Sequence, residues 1–216
     1  MSYLKIDLGC GSCKKEGTVG LDIQAQLGVD YVLNLQTDPL PFPNQSVEYA
    51  YSSHCLEHIV DPTHLFSEIG RVCIDGAKLE FWTPYAWENS AFIIDHKLFF
   101  NEDHYFHMCV WYVDFWEKIL GSRWLLKELV YIIEPNILVE LYKHKLNLDF
   151  AIRYYKGIVK EFCAIMEVKR EYKSKTIQPK KNFAISRSSK KYPIKSIVSE
   201  NVTSSDIKRA IEWFSS

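Results

Sequence analysis

The stretch that most restricts how this chain can fold is residues 4–22. Leu4-Lys5-Ile6-Asp7-Leu8 is an apolar run that leads straight into Gly9-Cys10-Gly11, and a second run, Val19-Gly20-Leu21-Asp22-Ile23, ends on a carboxylate. Glycines let a backbone turn sharply and lie against a ligand with no Cβ in the way. A carboxylate at the tip of the second strand of such a unit can accept both hydroxyls of a ribose. Together these residues describe a pocket for an adenosine-containing cofactor.

The details separate one cofactor from another. A dinucleotide site wants a third glycine, so that a helix N-terminus can meet the pyrophosphate. Here Ser12, Cys13 and Lys14 follow Gly11, and Asp7 would repel a pyrophosphate. An acid at that place suits a ligand carrying an ammonium or sulfonium. Asp7-Leu8-Gly9-Cys10-Gly11 resembles the opening motif of class I S-adenosylmethionine-dependent methyltransferases. Three further segments are similar to that family in the same order: Asp38-Pro39-Leu40-Pro41-Phe42-Pro43 with Val47–Ala50, then Ser52-Ser53-His54-Cys55-Leu56-Glu57-His58, then Glu68-Ile69-Gly70-Arg71-Val72 up to Gly76. The resemblance covers residues 4–85 and is to the subgroup called the type 11 methyltransferase domain.

Composition narrows the setting. At 216 residues one α/β domain is the natural expectation. No stretch is apolar and long enough to span a bilayer, and the N-terminus carries no signal-peptide pattern. The cysteines, at 10, 13, 55, 73, 109 and 163, fall mostly in expected strands and helices. Cys10 and Cys13 have no second pair to complete a metal site. A reducing cytoplasm accounts for them. Net charge is −1, but Lys173 to Lys195 holds eight basic and no acidic residues. A basic segment can bind nucleic acid. With only Phe183 and Tyr192 as aromatics it makes a thin stacking platform, so it reads as a solvated linker, and neither nucleic acid nor membrane is expected as a partner.

The expected fold is a Rossmann-like α/β three-layer sandwich, with a mostly parallel seven-stranded sheet and an antiparallel last strand. Strands are expected at Leu4–Leu8, Thr18–Ile23, Tyr31–Asn34, Val47–Ser52, Leu79–Thr83, Leu125–Ile133 and Val159–Lys169, with helices at Asp61–Val72 and Val110–Leu120. Residues 1–170 form the methyltransferase-like domain, 171–202 a basic linker, and 203–216 a C-terminal helix capped by Thr203 to Asp206. Only Ser12 to Gly17 separates the first two strands, too few for a full crossover helix. One sheet face therefore needs another cover, for which the last helix, the tail or a second subunit in a homodimer are candidates.

The resemblance implies an S-adenosylmethionine-dependent enzyme with a small-molecule acceptor, methylated on oxygen or nitrogen. It implies that Asp7, Leu8, Gly9, Cys10 and Gly11 lie against the methionine part, that Asp22 and Ile23 hold the ribose end, that Asn34 and Leu35 contact the adenine, and that Ser53 and His54 pass close to the methionyl amine. The segment from Tyr85 to Trp124 is dense in aromatics and histidines. Following the fifth strand, it would overhang the acceptor. His104, then His96, then His54 are the candidates for a general base, since an imidazole titrates near neutrality. His54, Glu57 and His58 stand where some relatives bind a metal, but Leu-Glu-His also braces a helix start in relatives without one, and no metal is expected. Two other readings compete: a catalytically silent cofactor-binding scaffold, and an RNA-directed methyltransferase using the basic tail.

Overall fold

Ile6 and Leu8 of Leu4–Leu8 (β1), like Ala50 and Ser52 of Val47–Ser53 (β4), are buried residues two positions apart, the period-two spacing of a pleated sheet. In the computed structural model, which describes residues 3–174, 176–195 and 205, these strands pair in parallel with Ile6 opposite Ala50 and Leu8 opposite Ser52. Val19–Asp22 (β2) and Tyr31–Val32 (β3) extend the sheet on one side. Cys73–Pro84 (β5), Glu161–Lys169 (β7) and Arg123–Ile132 (β6) extend it on the other. Strand β7 runs antiparallel to both β5 and β6. The order β3-β2-β1-β4-β5-β7-β6 reverses direction between β1 and β4, and in such sheets ligands bind at the carboxyl ends flanking that switch point.

The Rossmann-like α/β sheet with its antiparallel strand is as the sequence indicates. Two details differ. The sheet has nine strands among the described residues, because Lys180–Ala184 (β8) pairs in parallel with β6 and Tyr192–Pro193 (β9) pairs with β8. Both lie in the segment 171–202 expected to be a linker. Its run Lys181-Asn182-Phe183-Ala184 pairs on both sides, and the two-residue β9 is the last strand of the sheet on that side. The helix expected over 203–216 lies outside the described residues, apart from residue 205.

The second difference concerns the layers. The links β1–β2, β2–β3 and β3–β4 contain no helix. Among the described residues, the α-helices Thr63–Val72 (α1), Glu102–Phe106 (α2), Val113–Leu120 (α3), Pro135–Lys143 (α4) and Leu148–Tyr154 (α5) all feed one core. Leu65 and Ile69 of α1, Tyr105 of α2, Leu120 of α3 and Ile152 of α5 are buried there, with Leu138 of α4 packed against them. On the opposite face the buried cluster is made of sheet residues alone: Trp82, Val130, Ile132, Cys163 and Ala184. Around it the face is polar. Glu80 accepts from Tyr49, Lys78 and Trp82, Glu128 accepts from Asn182 and Lys191, and Lys15 sits 4.0 Å over the Tyr51 ring. Parallel sheets are usually buried on both faces; here, among the described residues, one face carries a helical layer and the other an ion-paired lattice.

Helix α1 crosses α3 at Gly70. A Cβ at that position would stand 1.9 Å from the Leu120 carbonyl oxygen. Arg170 closes the end of α1 by donating to the carbonyls of Gly70 and Cys73, both at 2.6 Å. Gly70→Ala therefore forces the two helices apart. Overpacking of this kind costs about 1–3 kcal/mol, and urea unfolding of this variant should show a loss at the upper end of that range.

Candidate functional site

The glycine loop is held by backbone geometry. Gly9 and Gly11 have φ of +69° and +54°, a region that β-carbons disfavour. A Cβ on Gly9 would lie 2.2 Å from Cys55 Sγ. The Leu21 carbonyl accepts from both Gly9 and Cys10 N–H, at 2.8 and 3.0 Å. Asp22 takes the Gly11 N–H on Oδ2 and the Gln24 N–H on Oδ1, each at 2.9 Å. Both carboxylate oxygens keep lone pairs for a further donor. At the switch point, Ser52 Oγ donates to the Leu8 carbonyl at 3.0 Å and locks β4 onto β1.

These elements enclose a cleft of about 510 Å³, and Gly9, Asp22, Ile23, Asn34, Leu35 and His54 all line it. Six of the sequence-derived cofactor residues are thus brought together. The other five do not line this cleft. Leu8 is buried in β1, and Cys10, Gly11 and Ser53 are carried by the adjoining loop or strand end. Asp7 is buried. Burial raises its carboxyl above the usual range, partly offset by the Lys15 N–H that it accepts at 2.7 Å. Its observed contact therefore folds the loop 12–17 across the sheet. Gln24, Gln36, Cys55, His58, Ile59 and Asp95 complete the lining. Of these, Asp95 comes from the segment expected to overhang the site.

The three candidate bases stand in three environments. His54, at φ +53°, is bonded through Nδ1 to Glu57 at 3.2 Å and through Nε2 to Glu161 at 2.8 Å. Those two carboxylates raise its pKa to about 9, against the effect of burial. His54 is therefore a cation near neutrality and has no free lone pair; this corrects its reading as a proton acceptor. Burial acts to raise Glu161, but hydrogen bonds from Arg187 and His54 outweigh it and hold the carboxyl at about 2. Arg187 also donates to Ser53 Oγ and Tyr51 Oη and lies 4.6 Å over the Trp82 ring. The pair Glu161 and Arg187 was not legible from sequence, since it reaches the site from 107 and 134 residues away along the chain.

His104 belongs to a capping box at the start of α2, through Nδ1 and Asn101. Desolvation of the ring lowers its pKa. It lines a second, mostly apolar cleft of about 540 Å³, with Phe66, Leu98, Phe100, Tyr105, Met108 and Trp111 among its walls. His96 packs edge-on against His58, ring centroids 4.8 Å apart. The Glu57 carbonyl accepts from Lys97 and Leu98 N–H, at 2.7 and 3.1 Å, which pins the segment between the two clefts.

With this geometry in view, comparison with known proteins is specific. Residues 6–81 match the family described as the methyltransferase domain. No curated protein matches the chain. Among solved structures, a chain of the Haloferax volcanii complex between the Trm112 methyltransferase activator and its candidate methyltransferase is similar at 16% identity, covering 80% of this chain and 84% of that one, with a TM-score of 0.50. An Archaeoglobus fulgidus SAM-dependent methyltransferase is similar at 15% identity, over 76% and 86% of the two chains, also at 0.50. The fold is that of the class I methyltransferases. Over residues 6–81 the chain is similar to the methyltransferase domain family.

A histidine with a higher pKa folded than unfolded stabilises the fold fully below its unfolded value of about 6.5, and the contribution fades as pH rises through the folded value. For His54 the window is from about 6.5 to about 9. Thermal unfolding followed from pH 6 to pH 10 should therefore show a steeper loss in the wild type than in His54→Gln. Equal slopes in that window would mean that the two carboxylates do not hold a charged ring.

Proposed function

We propose that the protein is a cytoplasmic S-adenosylmethionine-dependent methyltransferase acting on an oxygen or nitrogen of a small molecule. The observation that carries this reading is the cleft at the switch point. There an open-armed carboxylate, Asp22, stands beside a loop of two positive-φ glycines, of which Gly9 has no room for a Cβ. The cleft lies in the range of small-ligand sites, about 300–1,000 Å³. Its donor set fits the cofactor. Asp22 offers acceptors for ribose hydroxyls, Leu35 and Ile59 an apolar wall for a base, and Asn34 a side-chain amide at the same end.

The cofactor, when bound, supplies a methyl group already activated on sulfonium, so the chain's own residues need only position the acceptor and take up a proton. Asp7 sets the loop through Lys15 and acts on the ligand at one remove. Protonated His54 fixes the end of β4 between Glu57 and Glu161 and presents positive charge to the cleft. The segment from Pro84 to Trp111 seats the acceptor: it contributes Asp95 to the first cleft and most of the lining of the second. His104, its pKa lowered and its ring lining that second cleft, is the favoured proton acceptor, with His96 the alternative.

Isothermal titration with S-adenosylhomocysteine tests the reading directly. The wild type should bind it and not NAD, and should melt at higher temperature in its presence. Asp22→Ala should weaken binding roughly 10- to 100-fold, since a hydrogen bond to a charged group contributes about 1.5–3 kcal/mol. Unchanged affinity in Asp22→Ala, or preference for NAD, would sink the assignment.

A further inference from the structure

One buried carboxylate in the molecule has an oxygen left over. Glu57 is 1% exposed. Its Oε1 meets His54, while Oε2 has no hydrogen-bond partner among the described residues. A buried acceptor with nothing to accept is costly, at about 1–3 kcal/mol, more for a charged group. Such an orphan asks for a ligand.

Two imidazoles stand beside it. Glu57, His58 and His96 each offer one ligand atom, and these atoms all lie within 4.8 Å of one another. One nitrogen of each ring is already committed. His96 Nδ1 lies 3.1 Å from the Ala91 carbonyl oxygen. His58 Nδ1 lies 3.3 Å from Asp95 Oδ2 and 3.4 Å from the Asp95 carbonyl. All three partners can only accept, so each Nδ1 carries the hydrogen and each Nε2 keeps its lone pair. A histidine whose Nδ1–H is held by a carbonyl or carboxylate is oriented as metal-ligating histidines are. The loop that delivers His96 and Asp95 is itself tied to Glu57 by the two N–H groups of Lys97 and Leu98 on its carbonyl.

We propose that Glu57, His58 and His96 form a binding site for a divalent transition-metal ion of the zinc type. Two imidazole nitrogens and one carboxylate oxygen suit such an ion better than magnesium or calcium, which favour all-oxygen shells. Tetrahedral ligation at about 2.1 Å needs donor separations of about 3.4 Å, so the three donors close from at most 4.8 Å by side-chain rotation. Three protein ligands leave a coordination position open, as in catalytic zinc sites. His58 and Asp95 line the proposed cofactor cleft, so the open position gives onto it. Resting on the methyltransferase reading, that position would take an oxygen of the methyl acceptor and favour its deprotonated form. His96 is then a ligand, and proton uptake falls to His104. His54 is outside the set, since both its nitrogens are occupied.

The test is zinc titration of the chelator-treated full chain, in a Cys13→Ser background so that the exposed thiol adds no ligand, with cobalt(II) absorption as a second readout. One zinc should bind per chain. His58→Ala and His96→Ala should each weaken it at least tenfold, while His54→Gln should retain it. Cobalt should give the visible bands of a four- or five-coordinate N/O site, without thiolate charge transfer. Absence of stoichiometric zinc, or unchanged binding in both alanine variants, overturns the proposal. So does loss in His54→Gln with retention in His96→Ala. Homocysteine-product titrations of the same variants separate the two readings: S-adenosylhomocysteine binding without zinc binding refutes the metal alone, and zinc binding without it refutes the cofactor assignment alone.

Discussion

The clamp of the glycine loop onto β2 is the interaction on which the site depends. One carbonyl, that of Leu21, takes two consecutive N–H groups, and the next residue's carboxylate takes a third. In folds of this type a helix starting after the loop lends its N-terminal dipole to the ligand and braces the loop from behind. No helix follows the loop here. Its rigidity comes from the pairing of three amides with β2 and from the Asp7 carboxylate, which accepts the Lys15 N–H and turns the chain back. The carboxylate that would hold a ribose is thus the one that holds the loop.

A second set of contacts performs the bracing at the other side of the cleft. Glu161 joins β7 to His54 at the end of β4, and Arg187 reaches from beyond β8 to the same carboxylate and to Ser53 and Tyr51. Placing two acids and a guanidinium around one imidazole fixes its charge, and with it the positive-φ turn that leads into Leu56–His58.

What could be read from the sequence was what is local to it. Asp7, Gly9, Gly11 and Asp22 lie within one strand–turn–strand unit, and their spacing specifies the unit without knowledge of the rest. The positions of the first seven strands along the chain were equally legible, because apolar runs alternate with turn residues. Glu161 and Arg187 were not, since nothing near them in the chain refers to His54. Strand β8 was hidden by its lysines, which resemble a solvated linker until the edge of β6 is seen beside them. Helices α4 and α5 had signals that local reading passed over: Pro135 in a first turn and Asn147 accepting the Phe150 N–H as an N-cap. The capping role of His104 Nδ1 on α2 was also not read from the sequence.

The shortened crossovers bear on the route by which the chain folds. Parallel pairing is ordinarily slow, because a long connection must be ordered before the strands meet. Here Ile6 pairs with Val19 and Leu21 with Tyr31, separations closer to those of a meander than of a helix-linked crossover. The half of the sheet that carries the glycine loop can close early from nearby sequence. The contacts of Arg187 with Ser53 and Tyr51 have a chain separation of well over a hundred residues and must form late. The nascent chain therefore builds its glycine loop and Asp22 first, and encloses His54 only after its far end has been added to the sheet.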